Sequence, residues 1–197
     1  MEDRRKIYNY ALEWMEQNID EGLWWTAMAR VFEEGSFPKI SNKLMSCFDN
    51  HISLHTEEEY YMEHAKFCKW FQRNIKTVGK NGETKRASYG QGAKILDMMM
   101  IKYYCRLNLL PCDDVQRVVP WLNCPIDSHI IKDLKKHYKG DIPKVSSIKS
   151  INKRKYKKLQ KIVRDVVVTQ NDIRYPIEYD KKVWIRSKKE GILANKK

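Results

Sequence analysis

One apolar run confines this chain to a helical fold. Ile95-Leu96-Asp97-Met98-Met99-Met100-Ile101 is greasy on nearly every side, so it predicts a helix buried within the body of the protein. The run is entered through Tyr89-Gly90-Gln91-Gly92-Ala93-Lys94, which reads as a Gly-x-Gly-x-Lys turn feeding a helix from Gly90 to Cys105. Downstream, Asn123-Cys124-Pro125-Ile126-Asp127-Ser128-His129 opens a second helix. Asp127 stands at its natural N-cap, and the helix is expected to end near Gly140.

The remaining segments read as helices in the same way. One is expected from near Asp3 to Gly22, and an apolar one over Leu23–Ala29. Ser41 is expected to cap a third, bearing Leu44, Cys47 and Phe48. Thr56 followed by Glu57, Glu58 and Glu59 is a helix start with acid in the first turn. That helix carries Tyr60, His64, Phe67, Trp70, Phe71 and Ile75. Lys76–Arg86 reads as a polar loop. A short helix is expected after Pro111, one capped by Ser150 and ending at Val166-Val167-Val168, and one with Pro176 in its first turn. The expectation is an all-α fold of about nine helices, as one body or as two lobes with a cleft between them. The tail from 187 to 197 is expected to fray.

Charge narrows the partner. The net charge is +13. Lys132–Lys161 holds twelve basic residues against Asp133 and Asp141 and so carries +10 of that total. Within it, Lys153, Arg154, Lys157 and Lys158 are the expected contacts to a phosphate backbone. Charge gathered this way suits phosphates, whose counterions it would displace. The alternative is the solvated face of surface helices. The five cysteines show no metal-ligand spacing, so no metal and no cofactor are expected. The odd cysteine count, the polar N-terminus and the lack of a long apolar span lead to the expectation of a cytoplasmic protein that binds no membrane and works as a monomer.

Three places can carry chemistry. A lysine amine in apolar surroundings is more easily neutral and hence nucleophilic, and Met98 and Ile101 follow Lys94 at helical spacing. Asp97, three residues on, offers a plain ion pair instead. Gly90 and Gly92 permit a tight turn whose N–H groups would receive a DNA phosphate. Asp127 either caps its helix only or also supports a cationic intermediate. Asp180 and Trp184 stand four apart on one helix face. A carboxylate accepts from the N–H edge of a purine and an indole stacks on it; the plainer reading is a core tryptophan beside a surface acid.

Together these pieces resemble the helix–hairpin–helix DNA glycosylase superfamily. Gly90-Gln91-Gly92-Ala93-Lys94 resembles its hairpin with the lysine nucleophile, and Ile126-Asp127-Ser128-His129 its motif with the catalytic aspartate. The 33-residue separation of Lys94 and Asp127 is similar to that in the archaeal 8-oxoguanine DNA glycosylase branch. That branch also reads its base with an Asp and a Trp one turn apart, which resembles Asp180 and Trp184. The resemblance covers Tyr89 to Trp184. It implies a base-excision glycosylase with AP-lyase activity on duplex DNA containing a damaged base. Lys94 and Asp127 would be catalytic, Asp180 and Trp184 would bind the base, and Gly90 and Gly92 would contact the backbone. Trp24 or Trp25 would line the base pocket. The alternative is a non-catalytic basic helical DNA-binding protein on the same scaffold.

Overall fold

A computed structural model describes residues 31–51, 54–106 and 116–194, together with Lys6, Asn9, Tyr10, Glu13 and Gln17. The expected helix over Leu23–Ala29, Trp24, Trp25 and the helix start at Pro111 lie outside the described residues. So does most of the expected first helix.

The described chain is mostly helical. Its helices are α1 (Ser36–His51), α2 (Glu57–Asn74), α3 (Tyr89–Arg106), α4 (Ser128–His137), α5 (Lys153–Val168) and α6 (Pro176–Ala194). Short 3-10 turns cover Val119–Trp121 and Ile148–Ser150. The all-α expectation holds at the level of class, with one small exception. The segment expected to be a polar loop folds back as an antiparallel hairpin, β1 (Lys76–Val78) with β2 (Thr84–Arg86). Thr and Val favour strands, and Gly82 turns the chain at φ +79, where a side chain would be strained.

Most helix starts follow the sequence signals. Thr56 Oγ1 accepts from the Glu59 N–H, and the Glu59 carboxylate accepts from the Thr56 N–H, a reciprocal cap. Two starts and two ends move. α1 begins at Ser36 rather than after Ser41, because Pro38 sits in the first turn, where no N–H is needed. α5 is capped by Asn152, whose Oδ1 accepts from the Lys155 N–H at 2.9 Å; Ser150 belongs to the preceding 3-10 turn. α4 stops at His137, short of Gly140, and α6 runs to Ala194, through part of the tail expected to fray.

α3 is the hub. It packs against α1, α2 and α5 and against the 3-10 turn at Ile148. Its Ile95, Leu96, Met99, Met100 and Tyr103 are buried in one apolar cluster that also takes residues from the other helices. The buried face carries one carboxyl, Asp97, 1% exposed. His64 of α2 meets Asp97 Oδ1 through Nε2 at 2.9 Å, and the Tyr156 hydroxyl of α5 donates to Asp97 Oδ2 at 2.7 Å. The imidazole stacks on the Tyr156 ring. Burial works against charge on His64, but Cys68 and Asp97 beside it outweigh this and hold its pKa up, at about 10. Burial likewise pushes the Asp97 carboxyl up. The pair therefore keeps a shared proton at neutral pH, and α2, α3 and α5 are joined by charge-assisted bonds. Asp97 is thus taken by the core and is not the partner of Lys94.

The two glycines of α3 are packing positions. A Cβ on Gly90 would lie 2.6 Å from the Ile148 carbonyl oxygen and from Ile151 Cβ, and one on Gly92 would lie 2.9 Å from Phe71. Two outcomes follow. Gly90→Ala, which in an open helix stabilises, is expected here to destabilise, lowering the midpoint of urea unfolding. Tyr156→Phe is expected to lose about 1–3 kcal/mol in the same measurement, because Asp97 is left short of a donor.

Candidate active site

The site is built on the first turns of α3, the start of α4 and the first turns of α6. α3 begins with a reciprocal cap: Gln91 N–H donates to Ser88 Oγ and Ser88 N–H to Gln91 Oε1. The Gly90 N–H donates to the Ile151 carbonyl at 2.9 Å, and the Gly92 N–H to that of Ser88. The protein itself uses these donors, and both glycines are buried. The expected role of Gly90 and Gly92 as phosphate-binding N–H donors is therefore corrected. They let α3 approach α2 and the segment before α5, which fixes where Lys94 emerges.

Lys94 leaves the buried face one turn before Asp97. Its side chain is 18% exposed, between the apolar interior and solvent. Its Nζ lies 3.3 Å from Asp127 Oδ2. The residues come together across 33 positions of sequence because the approach to Asp127 is held rigidly. Leu122 to Ile126 lie in no helix or strand and are buried. Gln160 of α5 pins this segment like a strand partner: its Nε2 donates to the Cys124 carbonyl at 2.7 Å, and its Oε1 accepts from the Cys124 N–H at 3.1 Å. Gln160 was not among the expected site residues. Its signal in the sequence is a lone amide among the apolar positions of α5.

Asp127 both caps its helix and faces Lys94. Its Oδ1 accepts from the N–H groups of His129 and Ile130, at 2.9 and 3.0 Å, and caps α4. Its Oδ2 faces Lys94. The cap fixes the carboxylate plane, so the second oxygen is aimed at the amine by the helix itself.

Asp180 joins this pair. Burial raises its pKa to about 6; the Asp127 carboxylate adds to the rise and the Lys94 ammonium opposes it. The three side chains thus share one electrostatic neighbourhood. α6 is anchored beneath them by Asp133 of α4, which accepts from the Tyr179 hydroxyl at 2.6 Å and from Arg186 Nη1 at 2.9 Å. Trp184, one turn past Asp180, is 54% exposed and so is no core tryptophan. The Lys188 ammonium lies 3.9 Å from the centre of its ring.

The basic group stands apart. Lys153, Arg154 and Lys155 fill the first turn of α5 with no acid among them, the wrong sign for the helix dipole. Lys153 and Lys157 border an open cavity with Glu57, Glu58 and Tyr61 on the α2 side, and Lys158 pairs with Asp141 at 2.6 Å. Among the described residues no ion pair joins these cations to Asp127 or Asp180. Among the described residues no helix is long and apolar enough to cross a membrane, and no group of three His, Cys, Asp or Glu side chains is placed to hold a metal.

Comparison of the chain with family models, curated proteins and solved structures finds no match. What the protein does rests on this geometry alone.

Asp180 gives the site a pH signature. Its folded pKa of about 6 exceeds the ordinary 3.8, so the folded state holds this proton more tightly than the unfolded state. The stabilisation from that proton is complete below about pH 3.8 and is lost as pH rises through 6. Asp180→Asn is therefore expected to unfold at higher denaturant than the parent at pH 7.5, by about 1–3 kcal/mol, and to differ little near pH 4.

Proposed function

We propose that this protein is a base-excision DNA glycosylase with AP-lyase activity, which removes an oxidised purine, 8-oxoguanine first among them, through a Schiff base on Lys94. The observation that carries the reading is the partly buried Lys94 Nζ–Asp127 Oδ2 contact of 3.3 Å, built by an N-cap that leaves one carboxylate oxygen free for the amine. The neighbouring Asp180, with its pKa raised close to neutrality, supports the same reading.

In this reading duplex DNA lies across the basic surface and the damaged nucleotide turns out of the stack. Asp127 Oδ2 accepts a proton from the Lys94 ammonium. The freed amine attacks the sugar C1′, and the bond from C1′ to the base nitrogen breaks with its electron pair leaving on the base, which takes up a proton. The covalent sugar intermediate opens to an imine between Lys94 and C1′. Loss of a C2′ proton then expels the 3′ phosphate. Asp180 reads an N–H edge of the base or, protonated, donates to an acceptor on it, and Trp184 offers a ring face. The cations at the start of α5 oppose their own helix dipole, which supports an anionic partner for that surface.

The direct test is reductive trapping. Parent protein, borohydride and a duplex containing 8-oxoguanine are expected to give a covalent protein–DNA species. Lys94→Gln should abolish it while DNA binding survives. Asp127→Asn should fold, because asparagine still caps α4, yet trap far more slowly. No trapping by the parent on any of a panel of oxidised lesions would move the reading to a non-catalytic DNA-binding protein. A second expectation concerns salt. Log affinity for duplex DNA should fall with log salt by about 0.9 per phosphate contact, and neutralising Lys153, Arg154, Lys157 and Lys158 should flatten that slope. An unchanged slope would place the DNA on another face.

A further inference from the structure

A groove of about 400 Å³ lies where the β1–β2 hairpin meets the start of α3 and the 3-10 turn at Ile148–Ser150. Its lining includes none of Lys94, Asp127 and Asp180. Three cations line it: Lys85 and Arg86 from β2, and Lys149 from the 3-10 turn. All three are exposed. Among the described residues neither Arg86 nor Lys149 forms an ion pair. Glu83 is the one acid in the lining, and Lys85 engages its carboxylate at 3.1 Å.

The fold holds these charges together. The Ala87 N–H donates to the Ile75 carbonyl at 2.9 Å and the Glu33 N–H to that of Lys76 at 3.0 Å, so the hairpin is tied at its base. Ser88 Oγ donates to the Ile148 carbonyl at 3.3 Å, which draws the turn bearing Lys149 against the start of α3. Like charges fixed near one another repel, and a polyanion relieves that repulsion. Lysine on an edge strand also deters pairing with other strands. That purpose needs no cation from a separate segment, and Lys149 is one.

No aliphatic or aromatic side chain lines the groove. It offers no ring for a base to stack on and no foothold for an acyl chain. What it offers is charge beside short polar groups, Asn81 and Ser88 among them. Lys149 comes four residues before Lys153 of α5, a stretch that reaches at most about 14 Å. One extended partner can therefore meet both the groove and the cations that open α5.

We infer that this groove seats the phosphate backbone of one nucleic-acid strand, with Lys85, Arg86 and Lys149 facing its phosphates. The hairpin is then a second arm on the nucleic acid, besides the first turns of α5. The inference rests on the reading above only in taking DNA as the partner, and it needs no chemistry at Lys94. Backbone contacts carry no sequence information, so the arm grips damaged and undamaged duplex alike.

Fluorescence anisotropy of a labelled duplex, titrated with the full chain across a salt series, tests this. Arg86→Gln combined with Lys149→Gln should weaken both duplexes by roughly tenfold and flatten the slope of log affinity against log salt by about 2. Glu83→Gln frees Lys85 and should tighten binding and steepen the slope by about 1, a gain that misfolding does not give. Lys66→Gln with Lys69→Gln removes the same charge from exposed positions of α2 and should leave the slope unchanged. Inorganic phosphate at matched ionic strength should displace the duplex no better than chloride, which separates a strand site from a site for free phosphate. A parent that binds duplex with a slope set by α5 alone, unmoved by the Arg86 and Lys149 changes, removes this arm and leaves the DNA reading standing. Failure of borohydride trapping with the slopes as expected removes the chemistry and leaves the arm. The inference is also overturned if the parent binds no duplex, if the α2 variant loses as much as the groove variant, if phosphate displaces the duplex, or if polyglutamate binds as tightly as DNA.

Discussion

The structure depends on a carboxyl group sealed inside it. Asp97 sits on the most apolar helix of the chain and would be ruinous there alone, since burying an unpaired charge is among the largest penalties a fold can carry. His64 and Tyr156 make it tolerable, each from a different helix. Truncating one partner leaves the others buried and unmatched, so α2, α3 and α5 hold their relative positions together or not at all. Lys94 is one turn from that anchor. The precision with which its amine is delivered follows from the core, not from anything at the surface.

Asp127 shows how little extra structure a partly buried ion pair needs. Helix starts want an acceptor, and aspartate meets that want with one oxygen. The other is left over. Wherever an N-cap aspartate is brought against the first turns of a neighbouring helix, its spare oxygen meets positive potential and whatever cation stands there. Gln160 keeps the segment leading to Asp127 in register by replacing a backbone partner with a side-chain amide. The cap, the buried segment and the amide together turn a common structural device into a charged pair poised at the edge of the interior.

Much of this was legible in the sequence. The apolar run gave α3 within a residue at each end, the Thr56–Glu59 signal gave the start of α2, and Pro125 with Asp127 gave the start of α4. Lys94 and Asp127 stood out because each opened a helix beside apolar residues. What stayed hidden depends on tertiary partners. Ser88-x-x-Gln91 is a capping box in plain sight, yet Gly90 within it and Gly92 just after it read as a phosphate-binding turn instead. Whether a glycine frees an N–H or admits a neighbour is decided by what packs on it, and Ile148, Ile151 and Phe71 are distant in sequence. His64 reads as one more position on a helix face until Asp97 is brought against it. The hairpin is three residues a side, too short for alternation to show.

Trp184 has one further consequence. In the free protein its ring already has a tenant, the Lys188 ammonium 3.9 Å from the ring centre. Any flat group that stacks on the same face must evict that cation rather than settle on bare indole. The measured gain is then a difference between two attractions, cation against ring and ring against ring, and it shrinks by whatever the lysine gives up. An evicted lysine is also released within reach of the incomer. A neutral visitor would lose by the exchange, whereas an anionic one would recover it.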